Sequence, residues 1–341
     1  MAHLFDLEGN RKDVVGIMQD IARGYEPQHA ETLKAMMNPA EVAVQDYVDA
    51  LGFQEGAWYR PAHNKLVPAA MIAICRGRIL HDPMARDLTY PFSRDLVYVA
   101  QMHDSGNSLM TVEATTKGAS WENVDKRWAH MGIGAGMLAK TLGDLRSGGQ
   151  LEMTDSRLAE LYTIAATHDF PYLGVPFTEK LFGSSLLREA RGHRDADRTF
   201  VMSALSFWKD LIAQISDGKY QVKARALGST EGVTPEFMLR ARMTFFYPTA
   251  RYIPTEPSCG EKIDLEQYPF DKNLEAYNEG GKVEAMFTSV GQRIVGDQFA
   301  QRIGELEQVV HMDSPQQFGE LFERAFDREM QQMFTYAREG A

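Results

Sequence analysis

The residues with the clearest chemical potential lie in one stretch, Leu96-Val97-Tyr98-Val99-Ala100-Gln101-Met102-His103-Asp104-Ser105-Gly106. An apolar helical run ends in His-Asp, and a glycine two residues later lets the chain turn away. Adjacent imidazole and carboxylate at a helix end suit divalent metals. The ring nitrogen binds one ion, and the two carboxylate oxygens can bridge a pair. His-Asp also occurs at 81/82 and 168/169. His81-Asp82 precedes Pro83 and reads as turn chemistry.

Further imidazoles follow at helical intervals. His63 opens one expected helix, His130 lies inside a third and His168 closes a fourth. Metal sites in helical bundles are assembled this way, with one or two inward ligands from each facing helix. The candidate ligands are therefore His63, His103, Asp104, His130, His168 and Asp169, the last of which could instead cap a loop. Glycines 132, 134 and 136 surround His130 and weaken a helix unless close packing or a ligand requires them. Lys126 and Arg127 share that helix and are candidates to meet a substrate phosphate, against the alternative of a solvated face. Trp58, Tyr59, Phe170 and Tyr172 bracket these residues in sequence, as a base-stacking wall or as plain core.

The elements that must position these residues are helical. Residues 9–52 read as short amphipathic helices. Apolar spacing then predicts helices over 66–80, 94–103, 121–145, 154–168, 186–215, 283–310 and 314–336. Pro68 must sit in a first turn or kink its helix. Residues 240–252 have strand-like content and 254–273 read as loop. The expected fold class is all-α. Residues 1–58 form an N-terminal helical segment and 59–220 the metal-binding domain. Residues 221–341 form a C-terminal region for packing or homo-oligomerisation.

This order of motifs over residues 59–215 resembles the HD-domain superfamily, and within it the HD-GYP branch. A first histidine precedes an apolar helix, and an apolar-apolar-His-Asp-x-Gly segment follows. His130, Gly134, Met137 and Leu138 then match a His-x3-Gly-x2-apolar-Leu segment, and residues 164–169 stand where an apolar helix ends in His-His. Asp169 replaces the second histidine of that pair, Asn107 replaces a common lysine, and Tyr59 stands where iron-binding members carry a glutamate.

The resemblance implies a helical bundle holding one or two divalent metals, iron or manganese before zinc, nickel or magnesium. It implies that Asp104 bridges them, that a metal-activated water attacks phosphorus, and that a spare histidine or lysine, such as His193 or Lys126, protonates the leaving oxygen. It also implies a late aspartate ligand. Asp197 is preferred to Asp195 and Asp210, because it lies four residues before Val201 and extends the apolar stripe through Leu205 and Trp208. His193, four residues before Asp197, could join as ligand or proton donor.

The implied activity is hydrolysis of a nucleotide, cyclic nucleotide or related phosphoester. A di-iron oxygenase of a small organophosphonate or polyol, and a degenerate scaffold that only binds, are the competing classes.

Composition bounds the partners. Over 341 residues the net charge is −11 and the pI about 5.4, which argues against a protein that neutralises duplex nucleic acid. A small anionic substrate stays compatible, because a bound metal reverses the local field. Cys75 and Cys259 form no metal-binding or disulfide pattern. The N-terminus lacks a secretory layout, and the longest apolar run, Leu66 to Cys75, is too short to span a bilayer. A cytoplasmic protein without a membrane partner is expected.

Overall fold

The computed structural model describes residues 4, 8–51, 58–77, 92–109, 124–168, 176–216 and 288–339. Every regular element among them is helical. In chain order these are α1 (Glu8–Lys34), α2 (Pro39–Ala50), α3 (Arg60–Arg76), α4 (Leu96–Met102) and a 3-10 turn (Ser105–Leu109). Then come α5 (Val124–Ser147), α6 (Asp155–Ala166), α7 (Pro176–Val201), α8 (Ala204–Ser216), α9 (Ser289–Val309) and α10 (Pro315–Glu339). The strand-like segment 240–252 and the loop 254–273 lie outside the described residues.

The described fold is organised around the shortest α-helix among the described residues. All of α4, LVYVAQM, is buried, and a helix apolar on every side must be enclosed on every side. Helices α2, α3, α5, α6 and α7 pack around it. Its one amide side chain, Gln101, donates from Nε2 to the Glu41 carbonyl at 2.8 Å and to Gln45 Oε1 at 3.2 Å. Asn38 and Glu41 form a reciprocal capping box at the start of α2. Arg94 grips both carboxylate oxygens of the buried Glu41 at 2.7 and 2.8 Å. The entry to α4 is thereby fastened to the start of α2.

Helix α3 starts six residues earlier than the apolar pattern alone suggests, with His63 in its first turn, and it carries Pro68 in its interior. Proline cannot donate to the carbonyl four residues back. The Asn64 carbonyl instead accepts from Gln45 Nε2 at 3.3 Å. A buried side chain on α2 thus replaces the missing backbone donor of α3.

Two expectations of element length are corrected. Residues 9–34 form part of one long helix, α1, rather than several short ones. The helix expected over 186–215 is two helices, α7 and α8, separated at Met202-Ser203. Ser203 Oγ accepts from Ser206 N at 3.2 Å, and Glu329 Oε2 accepts from Ala204 N at 2.7 Å. These contacts satisfy orphan amides at the start of α8. The break is invisible in the apolar pattern because Met202, Ala204 and Leu205 are all buried.

Helix α10 packs on α1 and α3. Its stripe of Phe318, Leu321, Phe322, Phe326, Met330 and Met333 is buried within the chain. Arg76 of α3 donates to the last carbonyls of α10, Ala337 at 2.5 Å and Arg338 at 2.9 Å. Between α9 and α10 the buried Arg302 pairs with Glu305 at 2.6 Å and Glu329 at 3.2 Å. The segments read as 1–58, 59–220 and 221–341 therefore share one hydrophobic core among the described residues. No described helix is long and apolar enough to cross a membrane.

Candidate metal centre

The ends of four helices converge beside α4. His103 caps the C-terminus of α4 and Asp104 follows it. His63 comes from the first turn of α3, His130 from α5, His168 from just past α6, and His193 and Asp197 from α7. Two glycines make this convergence possible. A Cβ on Gly106 would lie 2.1 Å from the His130 carbonyl oxygen, and one on Gly134 would lie 2.5 Å from that of His103. Backbone touches backbone there, so α5 can bring His130 against the His103-Asp104 turn. Gly132 and Gly136 have open space at the same test. Of the three glycines near His130, only Gly134 is demanded by packing.

The donor atoms fall into two groups that share one carboxylate. Asp197 Oδ1 lies 3.3 Å from His63 Nε2 and 3.2 Å from His103 Nε2. Asp104 Oδ2 faces the same two imidazoles at 3.7 and 3.9 Å. On the other side, Asp104 Oδ1 is 3.4 Å from His130 Nε2 and 3.5 Å from His168 Nε2, and those two nitrogens are 3.3 Å apart. Ligands held by bonds of about 2.1 Å are about 3.0 Å apart at 90° and about 3.4 Å apart at tetrahedral angles. The closest donors already have that spacing. His63, His103 and Asp197, and likewise His103, Asp104 and His168, each form a set of donors mutually within 4.8 Å.

The tautomers agree. His103 Nδ1 is 3.1 Å from the Ala100 carbonyl and His168 Nδ1 is 2.7 Å from that of Ala165. His63 Nδ1 is 3.2 Å from Asn64 Oδ1. A carbonyl oxygen only accepts, so each of these Nδ1 atoms carries a proton, and Nε2 is the nitrogen left to face the site.

Both carboxylates are ionised. Burial pushes the Asp104 carboxyl up, but Arg60, His103 and the hydrogen bonds of His130 and His168 outweigh it and hold it well below the usual range. For Asp197, burial is likewise opposed and overcome by His103 and His63. Arg60 Nη1 bonds Asp104 Oδ2 directly. The carboxylate side chains are 17% and 23% exposed, whereas the His63 and His103 side chains are 5% and 1%. The site is thus more open on its carboxylate side, while the Arg60 side chain that bonds Asp104 is 10% exposed.

The structure brings His63, His103, Asp104, His130, His168 and Asp197 together, and places His193 behind them, fully buried. Asp195 turns away and accepts from Thr288 N at 2.6 Å, tying α7 to the start of α9. Asp210 pairs with Lys209 at 2.9 Å. Asp169, Phe170, Tyr172 and His81-Asp82 lie outside the described residues, as does the side chain of Lys126 on α5. Tyr59 stacks on Phe200 at 6.2 Å, with Lys209 Nζ 3.8 Å from its ring centre. Trp58 packs against the core.

Sequence reasoning missed Arg60. The signal was available: a cation at the first position of a helix opposes the helix dipole, and a residue three before His63 shares its face. Comparison with models of known protein families, with characterised proteins and with solved structures gives no match to this chain.

Proposed function

We propose that this chain is a metal-dependent phosphoester hydrolase of the HD-domain kind, acting on a nucleotide, cyclic nucleotide or related phosphoester. One observation carries the reading: Asp104 presents each of its oxygens to a different pair of imidazoles. That is the arrangement a carboxylate needs to bridge two cations. His63, His103, Asp197 and Asp104 Oδ2 would hold one ion, and His130, His168 and Asp104 Oδ1 the other. A divalent ion there supplies Lewis acidity and brings the ionisation of water toward neutral pH.

The chain's own residues supply the rest. With two carboxylates against two divalent ions, the loaded site keeps a positive excess, and Arg60 adds to it. Such a site selects an anionic substrate despite the acidic composition. Arg60, bonded to Asp104 and only 10% exposed at its side chain, would draw a phosphoryl group by charge. Tyr59, stacked on Phe200 and lying under the Lys209 ammonium and the Arg60 guanidinium, holds two cations beside the site. The buried imidazoles keep bulk water from the interior of the site.

The test is turnover of phosphomonoester, nucleotide and cyclic dinucleotide panels by protein stripped of metal and reloaded with manganese or iron. The reading predicts phosphate release that depends on added metal and disappears in Asp104→Ala. Oxygen uptake by the iron form, with no hydrolysis, would assign the oxygenase class instead. Tight metal binding with neither activity would leave a binding scaffold.

A further inference from the structure

No hydrogen bond accounts for the place of His193 in the core. The ring is wholly buried, and neither Nδ1 nor Nε2 has a hydrogen-bond partner among the described residues. Leaving one buried polar group unsatisfied costs about 1–3 kcal/mol. A phenylalanine or leucine of similar size would avoid that cost. An orphaned imidazole of this kind calls for a partner that the described residues do not provide.

Its position indicates the partner. The His193 ring centre lies 4.9 Å from that of His103 and 6.1 Å from that of His168. Imidazoles in the site stand at comparable spacings: 5.2 Å for His63 and His103, 4.7 Å for His103 and His168, and 5.1 Å for His130 and His168. Two imidazoles on one ion, with bonds of about 2.1 Å, place their ring centres about 4.5 Å apart at 90° and about 5.2 Å apart at tetrahedral angles. The His193–His103 spacing falls inside that interval, and the His193–His168 spacing corresponds to a wider angle. His193 also shares a face of α7 with Asp197, four residues on. One helix therefore offers an imidazole and a carboxylate to the same region.

We infer that His193 is a further metal ligand of this centre, completed only when a divalent ion is present and lying on the His103 side of the site. The inference rests on the proposed metal centre but is separable from it. A neutral imidazole is the binding form.

The experiment compares wild type with His193→Phe and His193→Gln, using Co2+ as the probe. Thermal unfolding is measured without metal, and Co2+ affinity by equilibrium titration. The Co2+-loaded proteins are also examined by proton NMR, counting the hyperfine-shifted exchangeable imidazole signals. His193→Phe is expected to unfold, metal-free, at or above the wild-type temperature. Its Co2+ affinity should fall at least about tenfold, with one fewer shifted imidazole signal. His193→Gln should recover part of the affinity but not the signal. An unchanged affinity or an unchanged signal count in His193→Phe overturns the inference while leaving the metal centre standing. Failure of wild type to bind Co2+ overturns both. A metal-free His193→Phe protein markedly less stable than wild type also overturns it, because the ring would then be structural.

Discussion

Gly134→Ala isolates the contact that sets the site. The new Cβ would lie 2.5 Å from the His103 carbonyl oxygen, where ordinary contact begins at 3.4 Å, so α5 and the His103-Asp104 turn must separate by about 0.9 Å. Alanine gains about 1 kcal/mol over glycine in a helix interior. Forcing a methyl into close-packed backbone costs about 1–3 kcal/mol. Gly132 and Gly136 have nothing within 4 Å, so alanine there collects the propensity gain alone. Gly134→Ala should therefore be about 1–3 kcal/mol less stable than Gly132→Ala, roughly 1–4 °C in Tm for a chain of 341 residues.

The metal consequence is sharper than the stability one. His130 Nε2 and Asp104 Oδ1 are 3.4 Å apart, and metal ligands tolerate errors of only about 0.2 Å. A displacement near 0.9 Å should lower the affinity of the His130–His168 side by at least tenfold, while the His63–His103–Asp197 side retains its ion. Thermal unfolding of metal-free protein, together with metal titration, reads both effects. If Gly134→Ala matched Gly132→Ala in stability and stoichiometry, the close approach would not set the geometry.

Two further outcomes test the frame around the site. His29 is buried against Tyr25, Phe326 and Phe334, and burial above all lowers its pKa to about 4. The unfolded chain takes up the proton first, below about pH 6.5, so stability is complete above that pH and falls as pH drops toward 4. The loss is at most about 3 kcal/mol. His29→Phe should flatten this part of the urea-midpoint profile of metal-free protein, and an unchanged slope would refute the assignment. In the second, Gln45→Ala should cost about 2 kcal/mol by stranding the Asn64 carbonyl. In a Pro68→Ala background the restored amide can meet that carbonyl, so the cost should shrink by about 1 kcal/mol. A double-mutant cycle with no coupling would contradict the role given to Gln45.

Apolar periodicity made the helical class legible, because each site-bearing helix buries one face or, in α4, every face. The candidate donors were legible for a related reason. A histidine or aspartate at the edge of an apolar helix is expensive to bury without a cation, which drew attention to His103-Asp104 and to Asp197. The argument for Asp197 needed one continuous helix through Trp208, however, and the chain breaks at Met202-Ser203. Asp197 reaches His63 and His103 from within α7 alone. The break depends on Ser203 and on Glu329, more than a hundred residues away in sequence, and no local pattern contains it. Asp195 looked surplus because its partner, the Thr288 amide, is equally remote. Gly106 and Gly134 could be flagged as costly in sequence, but only the packed backbones distinguish Gly134 from Gly132.

Metal content measured on anaerobically purified protein tests the central claim most directly. Elemental analysis, repeated after removal and reloading with iron or manganese, should give one to two equivalents per chain. His103→Ala and Asp104→Ala should each lose metal while keeping wild-type helical circular dichroism, with Asp104→Ala losing both ions because it serves both donor groups. Wild-type protein that carries no metal and takes none up on reloading, or an Asp104→Ala protein that retains full occupancy, would contradict the account.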